Sequence, residues 1–290
     1  MSMRFTVLAS GSAGNASLVS TGGHTVLIDA GIGPRTLAQR LAAVGSAWRH
    51  IHAVLLTHTH TDHWKNPTLR HLARLGIPFY CHREHDDDLD AQSAALVRLK
   101  DAGLVRYYEA ERAFEVVTGL RCRPLPVRHD AGATFGFRFE GAPDLFGHAT
   151  ALAYLADLGS WDDDLVASAA DVDLLALEFN HDVEMEQNSG RWPQLIERVL
   201  GDHGHLSNEQ AASFVTKLLA CSTPGQLRHL VQLHLSRECN RPRLAAAAGR
   251  TALLSCSSAA QVFTARQDQP SLTFNLGGAR TKIRKVGASD

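Results

Sequence analysis

Short apolar runs recur through both halves of the chain and predict an alternation of strands and helices. Near the start, glycine-rich turns separate three such runs, which predict antiparallel strands. These runs are residues 5–9, 17–20 and 25–29. In the segment 34–44, Leu37, Leu41 and Val44 recur at helical spacing, and Gly45 is typical of a helix end.

The rest of the chain continues this alternation. Apolar runs predict strands at residues 51–56, 77–81, 114–117, 121–127, 134–140, 152–156, 172–179, 228–233, 261–264 and 271–274. Helices are predicted at residues 67–74, 88–100, 192–200 and 208–219, within 157–171, and from 242–248 onwards. Strands dominate the start of each half, and helices intervene where they can cover the outer face of a sheet. We therefore predict an α/β fold, a four-layer αββα sandwich.

Composition is that of an ordinary globular protein. The 290 residues are 44% hydrophobic, which is enough to bury a large core. Because no linker or low-complexity block interrupts the chain, we predict one domain over residues 1–290, with a basic tail from about residue 280. The tail contains Arg280, Lys282, Arg284 and Lys285, and a frayed end is its simplest interpretation. The acidic triplets at 86–88 and 162–164 are interpreted as solvated loop or helix-start residues.

Charge and cysteine usage restrict the partners and the compartment. A formal net charge of −1 does not favour a broad electrostatic surface for nucleic acid, although it leaves room for a local one. The five cysteines form no Cys-x-x-Cys pair, so we expect no disulfides and a reducing compartment. The chain has neither an apolar leader nor a membrane-length apolar window. We therefore expect a cytoplasmic protein without a membrane partner.

Three histidines and one aspartate lie within the six positions His58-Thr59-His60-Thr61-Asp62-His63. Imidazole and carboxylate are ligands of first-row cations such as Zn²⁺. The stretch follows the predicted strand at 51–56 and precedes Pro67, so it would form a loop at a strand end. In an extended loop the side chains of His58 and His60 point the same way. Asp62 and His63 are too close along the chain to bind the same ion as these two histidines. The spacing favours two metal ions that share the loop.

His-x-His-x-Asp-His after a strand resembles the signature of the metallo-β-lactamase-fold hydrolases. That family has three further ligands downstream, and the chain offers His129, Asp157 and His234 in the required order, each after an apolar run. The resemblance implies two divalent metal ions, with Zn²⁺ preferred and Mn²⁺ or Fe as alternatives. One ion would be bound by His58, His60 and His129, and the other by Asp62, His63 and His234. Asp157 would bridge them together with a hydroxide.

Further segments resemble the YycJ/WalJ-like branch of this superfamily, which is associated with DNA exonuclease activity and related to RNase Z. They are residues 9–15, 27–31, 180–182, 204–209 and 234–236. By comparison with RNase Z, His205 would be the general acid and Glu178 the carboxylate that orients it. Asp62 is predicted to serve catalysis as well as metal binding. Ser207 is interpreted as a helix N-cap.

Three functions remain open from the sequence. The first is a metal-dependent phosphodiesterase, an exonuclease-like enzyme acting on DNA or a similar nuclease. The second is a hydrolase of a small thioester, lactone or cyclic phosphodiester, and the third is a metal-binding regulator without catalysis. Substrate would be nucleic acid or a small phosphodiester, with contacts predicted at His181, Ser10 and Asn15; a hairpin turn is the simpler interpretation of the last two. The oligomeric state is left open.

Overall fold

A computed structural model describes residues 2–143 and 147–277, and strands of this part of the chain form two sheets. The strands are β1 (Arg4–Ala9), β2 (Ala16–Thr21), β3 (His24–Ile28), β4 (Ala53–Leu55), β5 (Phe79–His82), β6 (Val105–Tyr108), β7 (Phe114–Val117), β8 (Leu120–Val127), β9 (Thr134–Gly141), β10 (Ala151–Leu155), β11 (Leu174–Glu178), β12 (His229–Leu233), β13 (Gln261–Thr264) and β14 (Phe274–Asn275). The first sheet has the order β14-β1-β2-β3-β4-β5-β6, and the second has the order β13-β12-β11-β10-β9-β8-β7.

Helices connect the strands and cover the sheets. They are α1 (Pro34–Ala43), α2 (Asn66–Leu75), α3 (Asp86–Gln92), α4 (Ala94–Asp101), α5 (Asp163–Ala169), α6 (Val183–Gln187), α7 (Pro193–Leu200), α8 (Asn208–Cys221) and α9 (Pro242–Ser255). A proline occupies the first turn of α1, α2, α7 and α9, where its missing N–H costs nothing. Asp162 caps α5 and Ser207 caps α8, so the predicted cap at Ser207 is confirmed.

Apolar side chains of the described residues form three clusters, which define four layers. One cluster lies between the two sheets and joins residues of both, such as Phe5 and Phe137. A second packs α1, α2 and α4 on the first sheet, and a third packs α5, α8 and α9 on the second sheet. The predicted αββα sandwich is therefore confirmed. No helix in residues 2–143 and 147–277 has the length and apolar character that crossing a bilayer requires.

The direction of the strands brings together the loops that carry the predicted metal ligands. Pairing is parallel from β3 to β6 and again from β10 to β13. The carboxyl ends of parallel strands meet at one edge of a sheet, and loops at such an edge are common sites of chemistry. The predicted ligands follow β4, β8, β10 and β12, so this topology supplies them from both sheets.

Four details differ from the predicted elements. The helix expected at 88–100 is two helices, because the Ser93 side chain accepts a hydrogen bond from Leu96 N and starts α4. Strand β6 and helix α6 were not predicted. The strand expected at 271–274 is reduced to β14, since Ser271 Oγ instead accepts a hydrogen bond from Val7 N. The predicted basic tail lies outside the described residues, and the single domain stays a prediction.

Candidate metal centre

The structure brings all seven predicted metal ligands into one cluster. The ligand atoms of His58, His60 and His129 lie within 4.8 Å of one another, and so do those of Asp62, His63 and His234. These are the two groups expected from the sequence. Asp157 forms a further group with His58 and His63, so it lies next to both of the others.

A buried carboxylate at the end of β3 orients His63. Asp29 Oδ2 lies 2.7 Å from His63 Nδ1, and Asp29 Oδ1 accepts a hydrogen bond from Thr57 N at 2.9 Å. Both Asp29 and His63 are fully buried. Since the Nδ1 proton is directed at Asp29, the lone pair of neutral His63 is on Nε2, the atom that faces the other ligands. Asp29 thus acts behind the side chains that are predicted to bind metal.

Close backbone packing fixes the loop that carries Asp62. Asn15 N donates to Asp62 O at 2.7 Å, and Ala30 N donates to His63 O at 2.7 Å. A Cβ placed on Gly31 would lie 1.6 Å from Asp62 O. Only glycine permits this approach, which explains a glycine directly after the strand-end segment.

His129 is held from the second half of the chain. Its Nδ1 donates to Gly204 O at 2.9 Å, which directs Nε2 toward His60 Nδ1, 3.3 Å away. Gly204 in turn packs directly on backbone, because a Cβ there would lie 2.2 Å from Arg198 O. The residue before His205 is therefore glycine for reasons of packing, and its carbonyl fixes the tautomer of His129.

Unsatisfied buried atoms indicate that the cluster suits a cation. His58 Nε2, His234 Nε2 and Asp157 Oδ2 are buried and make no hydrogen bond within the described residues. Asp157 Oδ2 also lies 3.0 Å from His63 Nε2, so two acceptor atoms would face each other unless a proton or a cation lies between them. Native proteins rarely leave such atoms without a partner. Imidazole and carboxylate donors in this arrangement fit divalent Zn, Mn or Fe.

The pKa shifts of the clustered side chains also indicate that the cluster suits a cation. Burial lowers the pKa of His63, but the nearby carboxylates Asp29, Asp157 and Asp62 outweigh burial and raise that pKa well above its usual value. Burial raises the pKa of Asp157, whereas the positive charges of His234 and His63 hold it well below its usual range. The carboxylates therefore require positive charge among the imidazoles, which a proton or a metal ion can supply.

Glu178 and His205 lie in contact at the edge of the cluster. Glu178 Oε1 accepts from His205 Nδ1 at 2.8 Å and lies 2.9 Å from His234 Nδ1. Burial raises the pKa of Glu178, but the charge and hydrogen bonds of the two imidazoles lower it to about 2. Burial lowers the pKa of His205, and the Glu178 carboxylate reverses that effect, so the pKa is raised. The pair is arranged to keep a proton on His205.

The three predicted substrate contacts lie behind or beside the ligands. Ser10 Oγ accepts from His234 N at 2.8 Å, and Asn15 Nδ2 lies 2.9 Å from His63 Nε2. Both side chains are buried. His181 is also buried, and neither of its ring nitrogens has a hydrogen-bond partner among the described residues. Their roles as substrate contacts stay predictions.

A rim cavity of about 730 Å³ opens beside the cluster. It is lined by Thr59, His60, Thr61, Asp62, Asp88, Gln92, Asp130, Ala131, Gly132 and Arg198. Asp130 pairs with Arg198 and lies 3.6 Å from His60 Nε2. Sequence reasoning missed Arg198 and Thr57. The position of Thr57 directly before the histidine-rich loop could have indicated its role. Nothing in the sequence around Arg198 indicates a role at the site.

Comparison with known proteins agrees with this geometry. A family model described as a beta-lactamase superfamily domain matches residues 24–223. Exodeoxyribonuclease WalJ of Streptococcus pneumoniae is 28% identical over 243 residues, which cover 83% of this chain and 85% of WalJ. Exodeoxyribonuclease YycJ of Bacillus anthracis is 28% identical over 254 residues, which cover 84% and 87%. Ribonuclease Z of Mycolicibacterium gilvum is 51% identical, but over only 51 residues, 18% of this chain and 17% of that enzyme.

Solved structures share the fold at low sequence identity. The metallo-beta-lactamase fold protein YhfI from Bacillus subtilis superposes with a TM-score of 0.65 at 16% identity, covering 95% of this chain and all of YhfI. Zn²⁺-bound PqqB from Methylobacterium extorquens gives a TM-score of 0.64 at 20% identity, covering 94% and 99%. These likenesses concern the fold alone.

Proposed function

Because the chain belongs to the beta-lactamase superfamily, we propose that it is a metal-dependent hydrolase of phosphodiester bonds that acts on DNA. The observation that carries the proposal is the His205–Glu178 contact beside the grouped imidazoles and carboxylates. An alkoxide is a poor leaving group, so its departure from phosphorus needs a proton donor, and this pair can provide one. The two exodeoxyribonuclease relatives support DNA as the substrate class.

We propose that the seven grouped side chains bind two divalent cations, Zn²⁺ in preference to Mn²⁺ or Fe. When bound, the cations would offset the charge of the phosphodiester and lower the pKa of water to about 7. The protein's own contribution is to hold the Nδ1 proton of the ligand rings, so that Nε2 is directed into the cluster. Asp29 does this for His63, and Gly204 O does it for His129.

We assign the leaving-group proton to His205. Glu178 holds Nδ1 of the ring, so the second proton of the imidazolium is on Nε2, which has no hydrogen-bond partner in the described part of the chain. As an oxygen from water bonds to phosphorus and the bond from phosphorus to the leaving oxygen breaks, Nε2 donates its proton to the leaving oxygen. Glu178 stays ionised and stabilises the charged ring. A catalytic role of Asp62, which lines the rim cavity, stays a prediction.

Substitution of His205 tests this assignment. We expect His205→Ala to lower kcat on DNA by about 10²- to 10⁴-fold without loss of bound metal. The loss should be much smaller on bis(p-nitrophenyl) phosphate, because p-nitrophenolate leaves without a proton. His203→Ala, two residues earlier and exposed, is the matched control. Equal losses on both substrates would contradict the acid role.

The wild-type protein decides between the broader alternatives. We expect the metal-loaded protein to cleave labelled single- or double-stranded DNA and a chelator to abolish cleavage. Hydrolysis of thioesters or lactones without phosphodiester cleavage would favour the small-molecule function. Metal binding without any hydrolysis would favour a regulator.

The odd number of cysteines without a Cys-x-x-Cys pair supports our proposal of a cytoplasmic location.

A further inference from the structure

Four exposed arginine side chains surround one cavity on the outer helices of the first sheet. Helix α1 contributes Arg35, α2 contributes Arg70 and Arg74, and α4 contributes Arg98. This arginine cavity has a volume of about 600 Å³ and shares no lining residue with the rim cavity. Its remaining lining residues are Gly33, Pro34, Thr36 and Pro67.

The positive charge of the arginine cavity is not neutralised by neighbouring acids. Within residues 2–143 and 147–277 these four guanidinium groups form no ion pair, and Arg74 makes one hydrogen bond, to His71. Exposed arginines elsewhere do find acids, as Arg112 does with Glu109. The whole chain has a formal net charge of −1, so this concentration of cations is local. A cavity lined by one sign of charge attracts ligands of the opposite sign.

Two helix starts add to this positive potential. The N-caps of α1 and α2 are Gly33 and Lys65, and neither provides a side-chain cap. A helix start carries partial positive charge, although Pro34 and Pro67 have no N–H and Thr68 N already donates to Lys65 O. Pro34 and Pro67, in these two first turns, both line the cavity. Guanidinium groups in the positive potential of two helix starts match the oxygens of phosphate groups.

The helices that line the arginine cavity begin close to the metal centre. Helix α1 begins shortly after Gly31, and α2 begins shortly after His63. Thr68 Oγ1 of α2 donates to Ile32 O at 2.9 Å, so the two helix starts are joined. Arg70 and Arg74 are four residues apart on one face of α2 and are displaced by about 6 Å along its axis. A strand that leaves the rim along α2 would meet both.

We propose that the arginine cavity binds backbone phosphates of the single DNA strand whose end lies in the metal centre. This inference rests on the function proposed above, because it extends the same substrate beyond the scissile bond. Phosphate contacts of this kind position the strand and carry no sequence preference. They therefore suit an enzyme that moves along a strand.

A binding experiment tests the cavity directly. The triple variant Arg35→Gln/Arg70→Gln/Arg98→Gln removes one cation from each helix. Its affinity for a fluorescein-labelled single-stranded phosphorothioate oligonucleotide is measured by anisotropy at several salt concentrations. We expect at least about tenfold weaker binding at about 50 mM salt, and a plot of log K against log salt that is shallower by about 2, since each contact contributes about 0.7.

A matched triple variant controls for net charge. Arg4→Gln/Arg121→Gln/Arg250→Gln removes three exposed arginines from β1, β8 and α9. Arg4 and Arg121 lie at the strand ends opposite the metal centre. We expect this variant to bind the oligonucleotide like wild type. Equal loss in both variants, or loss in neither, would overturn the proposal.

Two further measurements separate the possible outcomes. Inorganic phosphate is titrated against the same proteins; loss of phosphate binding with unchanged oligonucleotide binding would assign the cavity to free phosphate and overturn the proposal. Turnover of bis(p-nitrophenyl) phosphate should be unchanged in the cavity variant, whereas KM for a long DNA strand should rise. If wild type hydrolyses no phosphodiester, the proposed function fails, and anisotropy still decides whether the cavity binds DNA.

Discussion

Substitution of Gly31 by alanine should disable the metal centre although no predicted ligand is replaced. The new Cβ would lie 1.6 Å from Asp62 O, 2.4 Å from Asp62 C and 2.7 Å from Asn15 N. Unstrained contacts of carbon are about 3.5 Å long, so the backbone of the ligand loop must move by about 2 Å. Catalytic and ligand groups must be held within about 0.5 Å, so this displacement is too large for the site to absorb.

The expected losses can be stated for metal and for stability separately. We expect metal affinity to fall at least about 10- to 100-fold, as when the support of a ligand is removed. Overpacking should also lower the free energy of unfolding of the metal-free protein by about 1–3 kcal/mol. Elemental analysis after dialysis measures the first effect, and urea denaturation measures the second.

Gly141→Ala is the matched control. Gly141 is also buried, but a Cβ there would meet only Met3 Cε at 3.6 Å and Thr150 O at 3.8 Å, which are ordinary contacts. We expect Gly141→Ala to keep its metal. The reasoning about the close approach is refuted if Gly31→Ala retains the metal content and unfolding free energy of this control.

Three further variants test other parts of the site. Asp29→Asn replaces the carboxylate that accepts the Nδ1 proton of His63 by a neutral amide, and metal affinity should fall about 10- to 100-fold in competition with a chelator. Asp171→Asn, at another aspartate with positive φ, should leave the metal affinity unchanged. The pKa of Glu178 falls from its usual 4.5 to about 2 on folding, so this carboxylate stabilises the fold above pH 4.5, and its contribution is lost as the pH drops toward 2. Denaturation of the metal-free protein should therefore show a steeper loss of stability in that window for wild type than for Glu178→Gln, and parallel curves would contradict the shift. Ser207→Ala removes the cap of α8 and should cost about 0.5–2 kcal/mol in urea denaturation, with an unchanged midpoint as the contrary result.

The sequence predicted best what depends on local pattern and order. Short apolar runs predicted the strands of both sheets except β6, because such runs are a property of neighbours in the chain. The clustered side chains were predictable because His58, His60, Asp62 and His63 lie within six positions of the chain and the remainder follow predicted strands. Grouping them into two sets needed only the alternation of side chains, together with the family resemblance.

The elements that sequence reasoning missed depend on tertiary structure. Strand β6 contains Arg106 within a short apolar run, and its extended form is stabilised by parallel pairing with β5. Helix α6 has five residues, too few to show a helical period, and it begins because Asp182 caps it. The pairing of Arg198 with Asp130 depends on where α7 packs, which no local pattern specifies.

Three of the strands that end at the metal centre are followed by a residue with left-handed backbone. These residues are Asp29 after β3, Asp157 after β10 and His234 after β12, with φ between 52° and 59°. Aspartate, asparagine and histidine accept this conformation more readily than other side chains, and a β-branched residue resists it. The turn after the strand and a role in the candidate metal centre thus fall on the same three positions: Asp157 and His234 are predicted ligands, and Asp29 contacts Nδ1 of His63. Asp157→Asn would remove the negative charge and keep a residue that accepts the left-handed backbone. Asp157→Val would remove the charge and also strain the backbone. Comparison of the two variants therefore separates the effect of the lost charge from the effect of the strained turn.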